Sequence, residues 1–338
     1  MYKLDIFLTL GYFSNLVARR FFMTNDVILN WDISGQEGSD VAQQILRPDQ
    51  LSLVKPPSLF KASNFVDRKI KPAFSTEWGA LYNSDCLEML PHIRSESVDT
   101  VFADPPFNLQ KLYGSKVTDD LAEHEYVEWC HKWIAECVRI VKPGGAIFLY
   151  NLPKWNILLG AELTRLGLNF RHWIAVSIKF GLPITGRLYP SHYSLLYYTK
   201  GKPKTFRKIR TPIELCRHCG REVKDYGGHR DAMNPLGVNL TDVWTDVPPV
   251  RHKKFKSEKR SANQLSTKIL DRVIEVSTNQ YDVVLDPFGG AGTTFAVAER
   301  KLRHWIGCEI EPEYVEVIQD RLLSKDIGHH SNDDVIEG

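Results

Sequence analysis

Val283-Val284-Leu285-Asp286-Pro287-Phe288-Gly289-Gly290-Ala291-Gly292-Thr293-Thr294 reads as a buried strand running through a glycine-rich loop into a helix. Glycines in such a turn let the backbone approach a ligand closely and adopt positive φ angles. The spacing is not G-x-G-x-x-G, and no phosphate-loop lysine follows, which argues against a dinucleotide and against ATP. About fifteen residues on, the next predicted strand, Trp305-Ile306-Gly307-Cys308-Glu309, ends in an acid, the residue type that accepts hydrogen bonds from ribose hydroxyls. Together they suit a nucleoside without a polyphosphate. Without a ligand, the same loop would serve as a tight strand-to-helix turn, with Glu309 at the surface.

Working outward, strands and helices alternate along the chain. Leu81–Asn83 and Val98–Ala103 read as strands, the second nearly all apolar, as a buried parallel strand is. Glu123 to Val141 carries Tyr126, Trp129, Cys130, Trp133, Cys137 and Ile140 at helical spacing, and Pro143-Gly144-Gly145 is expected to end that helix and lead into a strand, Ala146 to Tyr150. A helix over Lys154–Leu166 and strands near His172–Ile178 and Tyr193–Thr199 follow. Beyond a polar, basic stretch come a helix from Gln264 to Ser277, the strand Val283–Leu285, helix Thr293–Arg300, strand Trp305–Cys308 and helix Pro312–Leu322. This alternation predicts an α/β fold with a doubly wound parallel sheet, whose ligands bind at the carboxyl ends of its strands.

A second segment falls at such an end. Asp104-Pro105-Pro106-Phe107-Asn108 directly follows Val98–Ala103. Two prolines fix φ and remove backbone donors, leaving rigid carbonyl acceptors. A carboxylate beside such a carbonyl makes a two-acceptor cradle for an NH2 group, and Phe107 offers a face on which a base could stack. Asp-Pro turns are also common after strands without any chemistry. Asp85, closing a neighbouring strand, could bind a cofactor's adenine amine or cap the helix beginning near Leu87.

Taken together, these residues resemble the amino-methyltransferases of DNA. That family carries a D/N/S-P-P-Y/F/W catalytic motif, matched here by Asp104, Pro105, Pro106 and Phe107. Its F-x-G-x-G-T-T cofactor motif is matched by Phe288, Gly290, Gly292, Thr293 and Thr294. The catalytic motif comes first, an order that resembles the beta class, a circularly permuted, Rossmann-like methyltransferase sheet. The resemblance spans roughly Leu81 to Leu322, apart from a target-recognition region between the motifs. It implies S-adenosylmethionine as cofactor, held by Asp85, Asp286, the glycine loop and Glu309, with Asn263 at the start of the segment lining the methionine end. It also implies double-stranded DNA as partner, with methylation of adenine N6 in a flipped-out base. Asn108-Leu109-Gln110 resembles adenine members, whereas cytosine-N4 members usually have Ser in place of Asp104. Cytosine N4 on the same fold is the nearest alternative; an RNA methyltransferase, or a DNA-binding relic without catalysis, lies further off. Homodimers are common in the class, and a cognate restriction endonuclease accompanies those members that work in restriction–modification pairs.

The expected division is a leader over residues 1–75, a catalytic half over 76–199, a target-recognition insertion over 200–262, a cofactor half over 263–325 and a flexible tail over 326–338. Within the insertion, Cys216-Arg217-His218-Cys219-Gly220 has the look of a zinc knuckle, two thiolates for one ion with turn amides bonding the sulfurs. His229 and His252 are the candidates for further zinc ligands, ahead of His218 and nearby aspartates. Residues 200–210 (KGKPKTFRKIR) and 251–260 (RHKKFKSEKR) concentrate positive charge and are expected to contact DNA phosphates.

Bulk properties agree with a globular enzyme. The 338 residues are 43% hydrophobic and 25% charged, with a formal net charge of only +2, so a nucleic-acid surface must come from local clustering. Six cysteines without regular pairing suggest a reducing compartment, and a cytoplasmic location is expected. In residues 1–22, Asp5 interrupts a short apolar stretch and Arg19 and Arg20 follow it, the wrong order for a signal peptide and too short for a membrane helix. The segment reads as an extension, with Met23 an alternative start and a short docking helix the other reading.

Overall fold

The computed structural model describes residues 60–109, 120–178, 185–186, 188, 190–213, 215–216, 218–221, 234–248 and 265–324, together with the backbone of short strands at 19–24, 27–32, 112–113, 117–118 and 335–336. Two compact units divide the chain, Met1–Pro56 and Pro57–Gly338. The first contains an antiparallel hairpin, Arg19–Thr24 with Val27–Asp32. The end of the expected N-terminal extension is therefore a strand, where a docking helix was the alternative; residues 1–18 lie outside the described residues.

The second unit is built on a nine-stranded sheet. Its strands in chain order are β1 (Phe74–Ser75), β2 (Gly79–Asn83), β3 (Val98–Ala103), β4 (Val141–Asn151), β5 (Asn169–Ser177), β6 (His192–Thr199), β7 (Val243–Trp244), β8 (Val283–Asp286) and β9 (His304–Glu309). They lie in the spatial order β7-β5-β6-β4-β3-β8-β9-β2-β1. The central run β4-β3-β8-β9-β2 is parallel throughout. Only β6 and β1 run against it, and β5 and β7 share its direction. Two strands from the C-terminal part, β8 and β9, thus sit between β3 and β2, which is the permuted order expected from the motifs.

Alternate residues of these strands face opposite layers, as the period-2 geometry requires. Val101, Ala103, Ile147, Leu149, Leu285 and Ile306 pack beneath α1 (Cys86–Met89), α2 (Glu123–Ile140) and α3 (Pro153–Arg165). Phe102, Phe148, Val284 and Trp305 pack on the other side against α4 (Thr267–Ser277), α5 (Thr293–Arg300) and α6 (Pro312–Leu323). Burying both faces is why β3, β8 and β9 are apolar along their whole length rather than alternating.

Pro143-Gly144-Gly145 behaves differently from expectation. Helix α2 stops at Ile140 and β4 begins at once, because residue 142 precedes a proline and is pushed toward the extended region. The glycines then lie inside β4, where Gly144 takes φ +80° and the pairing with β3 shifts register, a bulge rather than a connecting turn. At the chain's other end, Val335–Ile336, expected within a flexible tail, pairs antiparallel with Ile209–Arg210.

Candidate active site

Because β3, β4, β8 and β9 are parallel, their carboxyl ends open on one edge of the sheet, and Asp104, Asn151, Asp286 and Glu309 all gather there. The loop after β8 is closed on itself by Asp286. One carboxylate oxygen accepts the Phe288 amide at 2.9 Å, and the other accepts the Thr294 hydroxyl at 2.5 Å. Gly292, the N-cap of α5, has φ +73° and Gly290 has φ +49°, conformations that glycine takes without a Cβ penalty. A Cβ on Gly292 would press on Ile318 of α6, whereas one on Gly290 would meet open space, its nearest neighbour 3.9 Å away. The loop is therefore closed beneath and open above.

Glu309 reaches back to the same loop. Its carboxylate accepts the Gly290 amide at 2.7 Å and the Glu311 amide at 3.0 Å, with lone pairs to spare. Glu311 is also buried, and one of its carboxylate oxygens has no hydrogen-bond partner among the described residues. Thr293 has a structural role, since Arg321 of α6 donates to its hydroxyl at 2.9 Å and to the Ala291 carbonyl at 2.8 Å. Phe288 anchors the loop by packing against Trp129 and Trp133 of α2, ring centres 5.8 and 5.2 Å away. Asp85 caps α1, accepting the Leu87 amide at 2.7 Å, so at least one of its oxygens is spent on the helix.

The electrostatics of this edge are unusual. Burial pushes the Asp286 carboxyl up to about 7 against the pull of its Thr294 and Phe288 hydrogen bonds. Burial raises Glu309 to about 6 in the same way. Asp104 is raised well above the usual carboxylate range, by burial first and by the Asp286 charge second. Three carboxyls reluctant to ionise beside one another favour a cationic ligand, which would relieve both the desolvation and the mutual repulsion. No such environment would attract a polyphosphate. The residues present thus fit a positively charged ligand.

Asp104-Pro105-Pro106-Phe107 leaves β3 as an irregular segment. Neither the Asp104 carboxylate nor the Pro105 carbonyl has a hydrogen-bond donor among the described residues. Phe107 lies beside Tyr193 and Tyr150, ring centres 5.6 and 6.1 Å away, and these two tyrosines are 5.3 Å apart. Tyr150 also feels Asp104, whose charge is the second cause, after burial, raising its phenol well above the ordinary value. Tyr150, Tyr193, Tyr126, Asn151 and Trp155 carry no site signal in the sequence, Tyr126 reading only as a buried helix position. Topology carries the missing signal: β6 is antiparallel to β4, so the start of one strand and the end of the other meet at the same edge.

The structure does not bring every expected residue to this site. Asn263 lies outside the described residues, as do Gln110, His229, His252 and residues 251–260. Cys216 and Cys219 do meet in a tight turn. Gly220 (φ +66°) donates its amide to the Cys216 carbonyl at 2.8 Å, and the neighbouring His218 and Cys219 amides hold the Cys216 thiol below its ordinary pKa. Among the described residues no group of three or more His, Cys, Asp and Glu is placed to hold a metal.

The basic stretch 200–210, expected to contact DNA phosphates, makes several contacts within the fold. It follows β6, whose antiparallel course delivers it to the amino-end edge of the sheet, away from Asp104. There Lys200 donates to the Val138 and Val141 carbonyls and pairs with Glu96 at 3.1 Å. Lys204 pairs with Asp99 and Asp282, and Arg207 with Glu275 at 3.0 Å. Lys200, Lys204 and Arg207 thus tie this edge of the fold together. No helix among the described residues is long and apolar enough to cross a membrane.

Comparison with known proteins agrees with this geometry. The family described as DNA methylase (N6/N4 type) matches residues 98–320. The Type II methyltransferase M.BamHI of Bacillus amyloliquefaciens is 57% identical over 260 residues, which cover 77% of this chain and 60% of that relative's length. M.HpaI of Haemophilus parainfluenzae, another Type II methyltransferase, is 32% identical over 74% of this chain and 76% of its own. Among solved structures, the cytosine-N4-specific PvuII DNA methyltransferase superposes with a TM-score of 0.56 at 23% identity, over 77% of this chain and 91% of that one, a likeness of fold.

Proposed function

The chain belongs to the N6/N4 DNA methylase family, and on that premise we propose that it transfers a methyl group from S-adenosylmethionine to the exocyclic amine of a base in double-stranded DNA. The observation that carries the reading is the pairing of two acceptors without donors, the Asp104 carboxylate and the Pro105 carbonyl, beside a pocket of carboxyls that suits a cation. When bound, S-adenosylmethionine supplies an electrophilic methyl on a positively charged sulfur. Glu309 would hold its ribose hydroxyls, with Gly290 leaving room above the loop.

An exocyclic amine is a poor nucleophile because its lone pair is delocalised into the ring. Asp104 and Pro105 accept its two N–H bonds, turn the lone pair toward the methyl and hold the reacting atoms in line. The raised basicity of Asp104 suits it to take the proton that the methylated nitrogen sheds. Phe107, with Tyr150 and Tyr193 beside it, provides aromatic faces for a base taken out of the duplex. Adenine N6 is the acceptor we infer, from Asp at 104 and from Asn108-Leu109-Gln110; cytosine N4 would use the same two acceptors. Residues 251–260 are the proposed phosphate contacts. A homodimeric enzyme working beside a cognate restriction endonuclease belongs to the same reading, as does a structural zinc on Cys216 and Cys219.

Substitution separates the roles. Asp104→Ala should lower the methylation rate by about three orders of magnitude, while Asp104→Asn, which keeps one carbonyl acceptor, should keep a measurable part of it. Near wild-type turnover in Asp104→Ala would overturn the mechanism.

A further inference from the structure

The segment that carries the two acceptors is short, irregular and flanked by prolines, yet catalysis by positioning demands that it hold its shape to a fraction of an ångström. Two side chains from the surrounding elements grip it, and a third braces one of them. Tyr126, buried in the first turns of α2, donates its hydroxyl to the Pro106 carbonyl at 2.6 Å. Trp155, in the first turn of α3 and equally buried, donates its indole N–H to the Phe107 carbonyl at 2.8 Å. The two rings pack against each other with centres 4.6 Å apart. Asn151, the last residue of β4 and fully buried, donates its amide to the Tyr126 oxygen at 2.9 Å and accepts the Leu152 amide at 2.7 Å. The tyrosine hydroxyl is thereby fixed as donor to Pro106.

One residue further on, Asn108 closes the segment. It holds φ +54°, uncommon for a residue with a side chain, and grips Leu121 twice, donating to its carbonyl and accepting from its amide, both at 2.8 Å. Successive carbonyls along the segment therefore divide in a regular way. Those of Pro106 and Phe107 are tied to donors from α2 and α3, and that of Pro105 has none among the described residues.

We propose that Tyr126, Asn151 and Trp155 form a positioning trio that sets the orientation of the Pro105 carbonyl, so that the acceptor is already aimed at the substrate amine before substrate arrives. The proposal rests on the methyl-transfer reading above. None of the three is a catalytic residue, because each acts through the carbonyls that follow the one meeting the amine. A rigid acceptor costs no reorganisation at the moment of reaction, the condition under which a dipole helps the transition state most.

The test uses the full-length protein with duplex DNA and labelled S-adenosylmethionine, comparing Tyr126→Phe and Trp155→Phe with the parent. Tyr126→Phe removes one hydroxyl and leaves the ring that packs on Trp155; Trp155→Phe removes the other donor independently, should the first variant fold poorly. The readouts are the single-turnover methylation rate, the Kd for S-adenosylmethionine and the Kd for DNA. Each variant should lose about 10- to 100-fold in single-turnover rate, with both dissociation constants within about twofold of the parent. Asn151→Ala added to Tyr126→Phe should cost little further, since Asn151 acts on the segment through the lost hydroxyl. Rates within about twofold of the parent in both variants would overturn the proposal, as would a rate loss matched by weakened cofactor binding, the mark of general misfolding. A parent protein that binds cofactor and DNA but transfers no methyl would instead overturn the functional reading beneath it.

Discussion

At the scale of single residues, the site is governed by carboxyls that the fold keeps from ionising easily. Asp286 is the clearest, pushed up to about 7 by burial, where an unfolded chain would show about 3.9. A group whose folded pKa is raised stabilises most in its protonated form. Its contribution is complete below about pH 3.9 and is lost as pH climbs through about 7. The ligand-free protein should therefore lose thermal stability between about pH 5 and pH 8, and Asp286→Asn should make that decline shallower. Glu309, raised to about 6, keeps part of the slope in the variant. Melting curves across this range check the point; parent and variant declining in parallel would show that Asp286 does not titrate there. The same residues show how far sequence reaches. Asp104, Asp286 and Glu309 are legible because they sit at the ends of apolar runs, and strand ends are where such sheets bind ligands. Tyr126 and Trp155 are not, because a buried aromatic at helical spacing reads as core, and their second use is a polar atom aimed at a backbone carbonyl.

Elements were legible to the extent that one signal controlled them. Val98–Ala103 and Thr293–Arg300 fall where periodicity and flanking loops put them. The helix end before Pro143 is legible, but the start of β4 is not, because three turn-forming residues suggest a loop whereas tertiary pairing with β3 absorbs them as a bulge. Phe74–Ser75, two residues long, and Val243–Trp244 are strands only because a neighbouring strand offers them hydrogen bonds, and no local pattern announces that. The Cys216–Cys219 turn is an element of another kind. Its His218 and Cys219 amides lower the Cys216 pKa, and amides turned toward a sulfur are what a zinc knuckle uses. Protein purified without chelator should carry about one zinc per chain, and Cys216→Ser/Cys219→Ser should carry none. Metal analysis that finds no zinc in the parent removes the zinc and leaves a plain turn.

For the folded unit as a whole, the arrangement separates a working edge from a holding edge. Parallel strands deliver the acceptor segment, the glycine loop and Glu309 to one side. Lys200, Lys204 and Arg207 meet Glu96, Asp99, Asp282 and Glu275 on the other. A charge count alone would give all the basic residues to DNA, whereas the antiparallel course of β6 gives Lys200, Lys204 and Arg207 acidic partners at the amino-end edge. Lys204→Gln should accordingly leave DNA affinity within about twofold and the salt dependence of binding unchanged, since removing a lysine that neutralises a phosphate lowers that slope by about one unit. A shallower slope in this variant would return Lys204 to the DNA surface. Because the sheet order is set by β8 and β9 inserting between β3 and β2, the Asp104–Phe107 segment and the glycine loop become neighbours although about 180 residues separate them in the chain.

The most direct test of methyl transfer to a base amine is to incubate the full chain with unmethylated DNA and labelled S-adenosylmethionine, digest the DNA and identify the labelled nucleoside. Label is expected in N6-methyladenine and lost in Asp104→Ala; label in N4-methylcytosine would keep the two-acceptor mechanism and correct the base. A protein that binds S-adenosylmethionine yet leaves the DNA unlabelled would show that it does not transfer methyl groups to a base amine of DNA.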